Sequence, residues 1–529
     1  MTLAQIWLAE CVENHSECRR TQEIPFFPTR LIDVTESESS DWRLYIPSED
    51  HTMAVPLSYM TLSHCWGELK FLRLLSNNID TLKAGLRLSD LTKTFRDAVT
   101  VVRRLGQRYI WIDSLCIFQD SVDDWEVECG RMTDVYANSW CNIAATAASN
   151  GNEGCFQDRD PMALGLCSVT SEWTDYENQT FYLHDAGLWD EGITHAPLNL
   201  RAWVLQERLL SPRILHFGRD QLYWQCRQAA CETYPNGTYN YETPSKDFLG
   251  LQEPVTLFKS GLRIEYPVRE GPFHIWWTAV SQYMRCGLTN PADKLMALSG
   301  VAKHLQRTLV DDEYLAELWK SRLLFQLCWC LHSQTLHTEA PDYRAPSWSW
   351  ASVEGVLRQF DTGPAELKHS DIMPLAEVVD AKVVNATDDS TGQLVNGHLV
   401  LKAQLLPAEL WKLGSERSFM VIGEKRVSAV IFPDVHVEPS KTFCLPFFVV
   451  ANFHHTTHMQ MFGLIANSTK NKQDYPDEYI RYGMFKTSLG WEGVCDAFGI
   501  EIEPEEPGAR PQPRTELHYN VEKVDIVLV

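Results

Sequence analysis

Residues 57 to 148 alternate short apolar runs with longer helical patterns, and that alternation restricts the chain to few folds. "LSYMTLSHC" (57–65) reads as a short buried strand. In "SDLTKTFRDAVTVVRRLG" (89–106), Leu91, Phe95, Val99, Val102 and Leu105 fall on one helical face, with Ser89 and Asp90 as caps in front and Gly106 as the stop. "RYIWID" (108–113) is a second strand. "DDWEVECGRMTDVY" (123–136) is a second helix with Trp125, Cys129, Met132 and Tyr136 on its stripe, and "WCNIAATAA" (140–148) is a third strand. Antiparallel strands can be joined by a tight turn, whereas strands joined through helices lie parallel, so βαβαβ implies a parallel sheet with helices on both faces.

Four segments are expected around this core: a helical segment and linker over 1–56, the α/β domain over 57–217, a hairpin and helical extension over 218–355, and a β-rich domain over 356–529. An insertion occupies about 150–200, opening in a stretch rich in Gly, Asp and Asn. "RILHFGRDQLYWQC" (213–226) reads as a hairpin turning at Gly218, Arg219 and Asp220. In "TNPADKLMALSG" (289–300), Asn290 caps a helix, Pro291 takes its first position and Gly300 follows its end. Beyond "YRAPSWSWAS" (343–352), the runs "GHLVLKAQLL", "SFMVIGEKRVSAVIF", "TFCLPFFVV" and "MQMFGLIAN" argue an all-β unit.

Forty-seven Lys and Arg against seventy Asp and Glu give a net charge of −23, which repels phosphate backbones, so no nucleic-acid partner is expected. "MTLAQIWLAECVENHSECRR" lacks a basic start followed by an apolar core, and the apolar "CLPFFVVANF" is short and broken by Pro446, so neither a signal peptide nor a membrane span is expected. Fifteen cysteines without a regular framework suit a reducing compartment, hence a cytoplasmic protein with nuclear entry open. Cys11, His15 and Cys18 stand at i, i+4 and i+7, as three metal ligands on one helix face would. A closed zinc site needs a fourth ligand and no CxxC pair lies nearby, so the favoured reading has no metal and a helix docking its inner face.

"RAWVLQERLL" (201–210) sets a carboxylate into a run that otherwise reads as a buried helix. Trp203, Glu207 and Leu210 share one stripe, so Glu207 is expected to face protein rather than water, with its pKa raised by burial. Arg201 and Arg213 are available as structural ion-pair partners, and a buried carboxylate so paired is the plain alternative to a functional one.

Several stretches together resemble one family. "YMTLSHCWG" (59–67), residues 94–139, "RAWVLQERLLSPRILHF" (201–217) and "YRAPSWSWAS" (343–352) are similar, in the same order, to fungal heterokaryon-incompatibility (HET) domain proteins. One position departs: His64 stands where HET domains usually carry Tyr. The resemblance implies a toxic effector in fungal non-self recognition and programmed cell death, a form of fungal innate immunity. HET domains are remotely similar in turn to TIR domains, whose flavodoxin-like sheet in some members cleaves NAD with a glutamate in a W-x-x-x-E setting. Trp203 and Glu207 stand at that spacing, which makes the chain a candidate NAD glycohydrolase with Glu207 as its catalytic residue. A TIR-like/flavodoxin-like parallel sheet is the α/β fold expected.

Ligands of open parallel sheets sit beyond the carboxyl ends of the strands, which selects Ser63, Cys65, Trp66 and Gly67 after the first strand, and Asp113 with Ser114 after the second, as NAD-binding candidates beside Trp203. In these roles Trp66 stacks on a flat ring, Gly67 admits a phosphate to the backbone and Asp113 accepts from a ribose hydroxyl. NAD is the candidate substrate, and no cofactor is expected. The plainer readings place Trp66 in the core, Asp113 as a turn cap, and the acidic "DSLCIFQDSVDDW" as the start of a helix rather than a metal loop. A Ser63 or Cys65 nucleophile with a His and Asp113 is a rival hydrolase reading, opposed by the strand geometry that turns His64 away from both neighbours. The alternative outside enzymology is a non-catalytic signalling module that recruits copies of itself or an incompatibility partner protein.

Overall fold

The computed structural model describes residues 2–18, 26–49, 58–160, 167–183, 187–232, 258–259, 262–263, 271–332, 338–339, 343–357, 372–413, 417–434, 442–451, 458–469, 478–502, 517–519 and 521–529. The chain forms two compact units, Met1–Tyr266 with Cys286–Thr289, and Pro267–Arg285 with Asn290–Val529.

The first unit is built on an eight-stranded sheet. Helix α1 (Thr2–Asn14) opens the chain, followed by two strands that carried no readable period, β1 (Leu31–Asp33) and β2 (Arg43–Tyr45). The expected alternation then appears as β3 (Tyr59–Ser63), α2 (Ile79–Ala84), α3 (Lys93–Arg104), β4 (Tyr109–Trp111), α4 (Asp113–Cys116), α5 (Val122–Ala137) and β5 (Asn142–Ala144). The insertion carries a hairpin, β6 (Cys167–Thr170) with β7 (Thr180–Leu183). Helix α6 (Ala202–Leu210) leads to β8 (Arg213–Phe217), β9 (Leu222–Cys226) and β10 (Ala230–Glu232).

Strands β4, β3, β5 and β8 lie side by side in that order and run parallel. Every residue of these four strands is buried, as covering both faces requires. In chain order they are second, first, third and fourth, the arrangement of flavodoxin-type sheets, whose switch point falls between the first and third strands, here β3 and β5. The sheet is mixed rather than purely parallel. β1 and β2 add antiparallel strands beyond β4, and β9 and β10 do so beyond β8. The hairpin expected at Gly218–Asp220 forms, with Phe217 paired to Leu222.

Helix α3 starts later than Ser89 and Asp90 suggest. Thr92 is the N-cap and accepts from the Phe95 amide at 3.4 Å, while Asp90 accepts from the Arg87 amide at 3.0 Å. The stop is where expected: Gly106 takes φ +71°, and its amide and that of Gln107 reach back to Arg103 and Val102 at 3.0 Å.

The second unit joins helices Gly271–Tyr283 and Met296–Gln306 to an eleven-stranded sheet whose strands run, in chain order, from Ile372–Pro374 to Val524–Leu528. Asn290 caps its turn and accepts from the Ala292 amide at 3.2 Å, but the helix runs through Gly300 instead of stopping there. Gly300 lies among buried residues, and the helix-propensity cost of glycine, about 1 kcal/mol, is offset by burial of that face. The β-rich C-terminal region appears as read, with Pro446 accommodated by a register shift between Pro446 and Phe448. Among the described residues no helix is long and apolar enough to cross a membrane.

Candidate functional site

Helix α6 has nine residues, no side-chain N-cap and seven buried positions, so tertiary packing rather than helix propensity holds it. Val204 packs with Cys65, Leu198, Ala144 and Ile214, which seats α6 against β5, β8 and the end of β3. Glu207 is thereby carried to the carboxyl end of β3, where the Ser63 hydroxyl donates a hydrogen bond to Oε2 of the carboxylate. Ser63 Oγ accepts from Asn142 Nδ2 at 2.9 Å, and Asn142 Oδ1 accepts from the Thr61 hydroxyl at 3.1 Å. All four side chains are buried. Ser63 and Asn142 stand on β3 and β5, so this polar chain bridges the two strands that bound the switch point.

Neither candidate arginine forms a salt bridge with Glu207 among the described residues. Arg201 donates to the His64 carbonyl, and Arg213 donates to Cys11 Sγ and to the carbonyls of Trp140 and Cys18. Burial pushes the Glu207 carboxyl up to about 7, with the Asp113 charge adding to the rise; the Ser63 hydroxyl, the Arg201 charge and the Tyr136 hydroxyl oppose it. The carboxyl therefore divides between its two forms near neutral pH. Trp203, one turn earlier, is half-buried, and the side chain that hydrogen-bonds the carboxylate is Ser63.

A second cluster surrounds Asp113, at the start of α4. Its carboxylate accepts from the Trp66 indole N–H at 2.9 Å and from the Ser114 amide at 2.6 Å, and its side chain remains 28% exposed. Asp113 thus fixes Trp66 while keeping an edge open to solvent. His64 turns to the same side, Nδ1 lying 3.8 Å from Asp113, too far for a hydrogen bond, and its ring meets Phe95 edge-on. Burial pushes His64 down to about 4, so it is neutral at physiological pH. Ser63 and His64 engage different partners, as their alternation on the strand requires. Cys65 is a core side chain whose thiol is raised by burial, which opposes a thiolate nucleophile. Ser114 is fully buried.

Gly67 is exposed at φ +63°, and a Cβ there would lie 2.6 Å from Asn150 Cβ. Gly67→Ala is therefore expected to lower stability by about 1–2 kcal/mol or more, read as a fall in the urea midpoint at unchanged m-value. An unaltered midpoint would show that the loop adjusts freely.

The acidic stretch at 113–125 is consumed locally. Ser121 caps α5, accepting from the Asp124 amide at 3.2 Å, and Asp124 forms a bidentate pair with Arg30 at 2.6 and 3.1 Å. Asp120 accepts from the Ser76 amide at 3.0 Å. These contacts bear out a helix start.

Asn142 and Tyr136 were absent from the candidates drawn from the sequence. A lone amide inside the apolar run "WCNIAATAA" was the available signal for Asn142, because a buried polar group demands partners. Tyr136 carried none, since its position on a helical stripe explained it fully.

These features define a mixed α/β domain with a carboxylate buried at the carboxyl end of its parallel strands. Residues 59–207 match the family model described as "Heterokaryon incompatibility protein (HET)", a span that runs from β3 to Glu207 itself. Over that span the chain is similar to HET domains. No curated protein and no solved structure matches it.

Proposed function

We propose that this chain is a HET effector of fungal non-self recognition and programmed cell death, and that its α/β domain, TIR-like in character, acts in the cytoplasm by hydrolysing NAD to nicotinamide and ADP-ribose. The observation that supports this most is the Glu207 carboxylate, held at the carboxyl ends of the parallel strands by a hydroxyl rather than neutralised by a guanidinium. Breaking the ribose–nicotinamide bond leaves both bonding electrons on the nicotinamide nitrogen, which departs neutral, and builds positive charge on the sugar. A preorganised anion in a buried setting favours that charge, and water then adds to the anomeric carbon and releases a proton. No general acid is required. Trp66, with its ring fixed by Asp113, is assigned to stacking on a flat ring, Gly67 to phosphate approach, and the open edge of Asp113 to a ribose hydroxyl.

The test is nicotinamide release from NAD by the full chain. Wild type is expected to release it with a rate that rises with pH through about 7 as Glu207 ionises, and Glu207→Gln to lose about two to three orders of magnitude. Equal release by both proteins would acquit Glu207. No release from wild type, including after enforced self-association, would leave the recruiting module as the reading.

A further inference from the structure

We propose that Cys11, His15, Cys18 and Cys226 form a Cys₃His site for a structural Zn²⁺ that ties α1 to the turn between β9 and β10. The ligand atoms of these four side chains all lie within 4.8 Å of one another, and His15 Nδ1 stands 3.2 Å from Cys226 Sγ. Tetrahedral zinc with Zn–S near 2.3 Å and Zn–N near 2.0 Å separates its ligand atoms by roughly 3.5–3.8 Å, so only small adjustments are needed. Four soft ligands close the coordination shell, the mark of a structural rather than a catalytic zinc.

The backbone explains how residues so distant in sequence converge. Helix α1 ends at Asn14 rather than continuing to Cys18, and a single tight turn over Ser16–Cys18 folds back, the Cys18 amide donating to the His15 carbonyl at 3.2 Å. Cys226 closes β9 and its amide donates to the Ala229 carbonyl at 2.8 Å, defining the turn to β10. The two turns interlock: Glu17 N–H donates to Gln228 Oε1 at 3.1 Å, and Arg227 donates to the Glu17 carbonyl at 3.0 Å. Trp7 of α1 meets Trp224 of β9 with ring centroids 6.5 Å apart.

Charge supports the same ligand set. Arg213 is buried and donates to Cys11 Sγ at 3.2 Å and to the Cys18 carbonyl at 2.9 Å, and among the described residues no carboxylate forms a salt bridge with it. A buried guanidinium requires a compensating anion. Three thiolates around a divalent cation carry one net negative charge, which Arg213 balances. Arg213 thus both hydrogen-bonds a ligand sulfur and offsets the charge of the set.

Metal analysis of the full chain by mass spectrometry is expected to find one equivalent of zinc, released by a strong chelator together with exposure of three thiols to a thiol reagent. Cobalt(II) exchange should give the ligand-field and thiolate charge-transfer bands of a tetrahedral site. Cys226→Ser should lose the bound metal, whereas Cys495→Ser, a half-buried cysteine of the other unit, should keep it. If Cys226→Ser fails to fold, the wild-type stoichiometry and cobalt spectrum still decide. Little or no zinc in the wild type, a disulfide among these cysteines in its place, or full zinc in Cys226→Ser would overturn the assignment.

Discussion

Glu207→Gln is expected to raise the stability of the folded chain by about 3 kcal/mol at about pH 8, while leaving it unchanged in acid. The sign follows from the direction of the shift. Burial raises the folded carboxyl from 4.5 to about 7, so between those values the folded state holds a proton that the unfolded chain has released. Stability from this group is therefore lost as pH rises through that window, and above it the whole cost of a buried charge is paid in the folded state. Glutamine keeps the shape, can still accept from Ser63 and never ionises. Melting midpoints of the two proteins should coincide below about pH 4 and diverge above neutrality, by roughly 6–12 °C for a domain of this size. His64 contributes the opposite slope: pushed down to about 4 from 6.5, it favours the folded state increasingly as pH rises through that range. Because it is present in both proteins, the difference between them isolates Glu207. Parallel curves across the whole range would remove the idea that this carboxylate is held at an energetic cost. A residue that destabilises its own domain is the trade-off expected at the position proposed to carry the chemistry.

Arg481→Met is expected to cost the second unit about 3–5 kcal/mol, seen as a large fall in its urea midpoint. The Arg481 guanidinium, wholly buried, donates to both Asp434 oxygens at 2.6 and 3.0 Å, to the Trp329 carbonyl at 2.6 Å and to the Leu327 carbonyl, and lies 3.6 Å from the Trp329 ring centroid. Removing it takes two charge-assisted hydrogen bonds from a carboxylate that is 4% exposed and a donor from each of two carbonyls. Adding Asp434→Leu should return much of the loss, since an apolar pair of similar volume has no unpaired charge to hold. If the single variant were as stable as wild type, water must reach Asp434.

The helices and central strands were legible because each had a period and a boundary residue: Val99 and Val102 marked a face of α3, and Gly106 marked its stop. The outer strands were not, because three-residue segments such as Leu31–Asp33 and Arg43–Tyr45 are too short to show alternation, and their pairing is set by the sheet they join. Gly300 misled because a glycine inside a buried helix looks, in sequence, like one that ends it. Glu207 was visible as a charge on an apolar stripe, but its partner Ser63 lies 144 residues away and no local pattern connects them. The same holds for Cys226, which is 211 residues from His15 and completes the ligand set whose missing member argued against a metal.

The two outermost strands of the eight-stranded sheet, Arg43–Tyr45 and Ala230–Glu232, are only three residues each. A growing filament that templates on exposed backbone needs a long, flat row of free amides, and among the described residues neither rim supplies one. A contact between copies at either of these two rims would then rest on side chains rather than on a backbone ladder, and single substitutions there would be enough to weaken it.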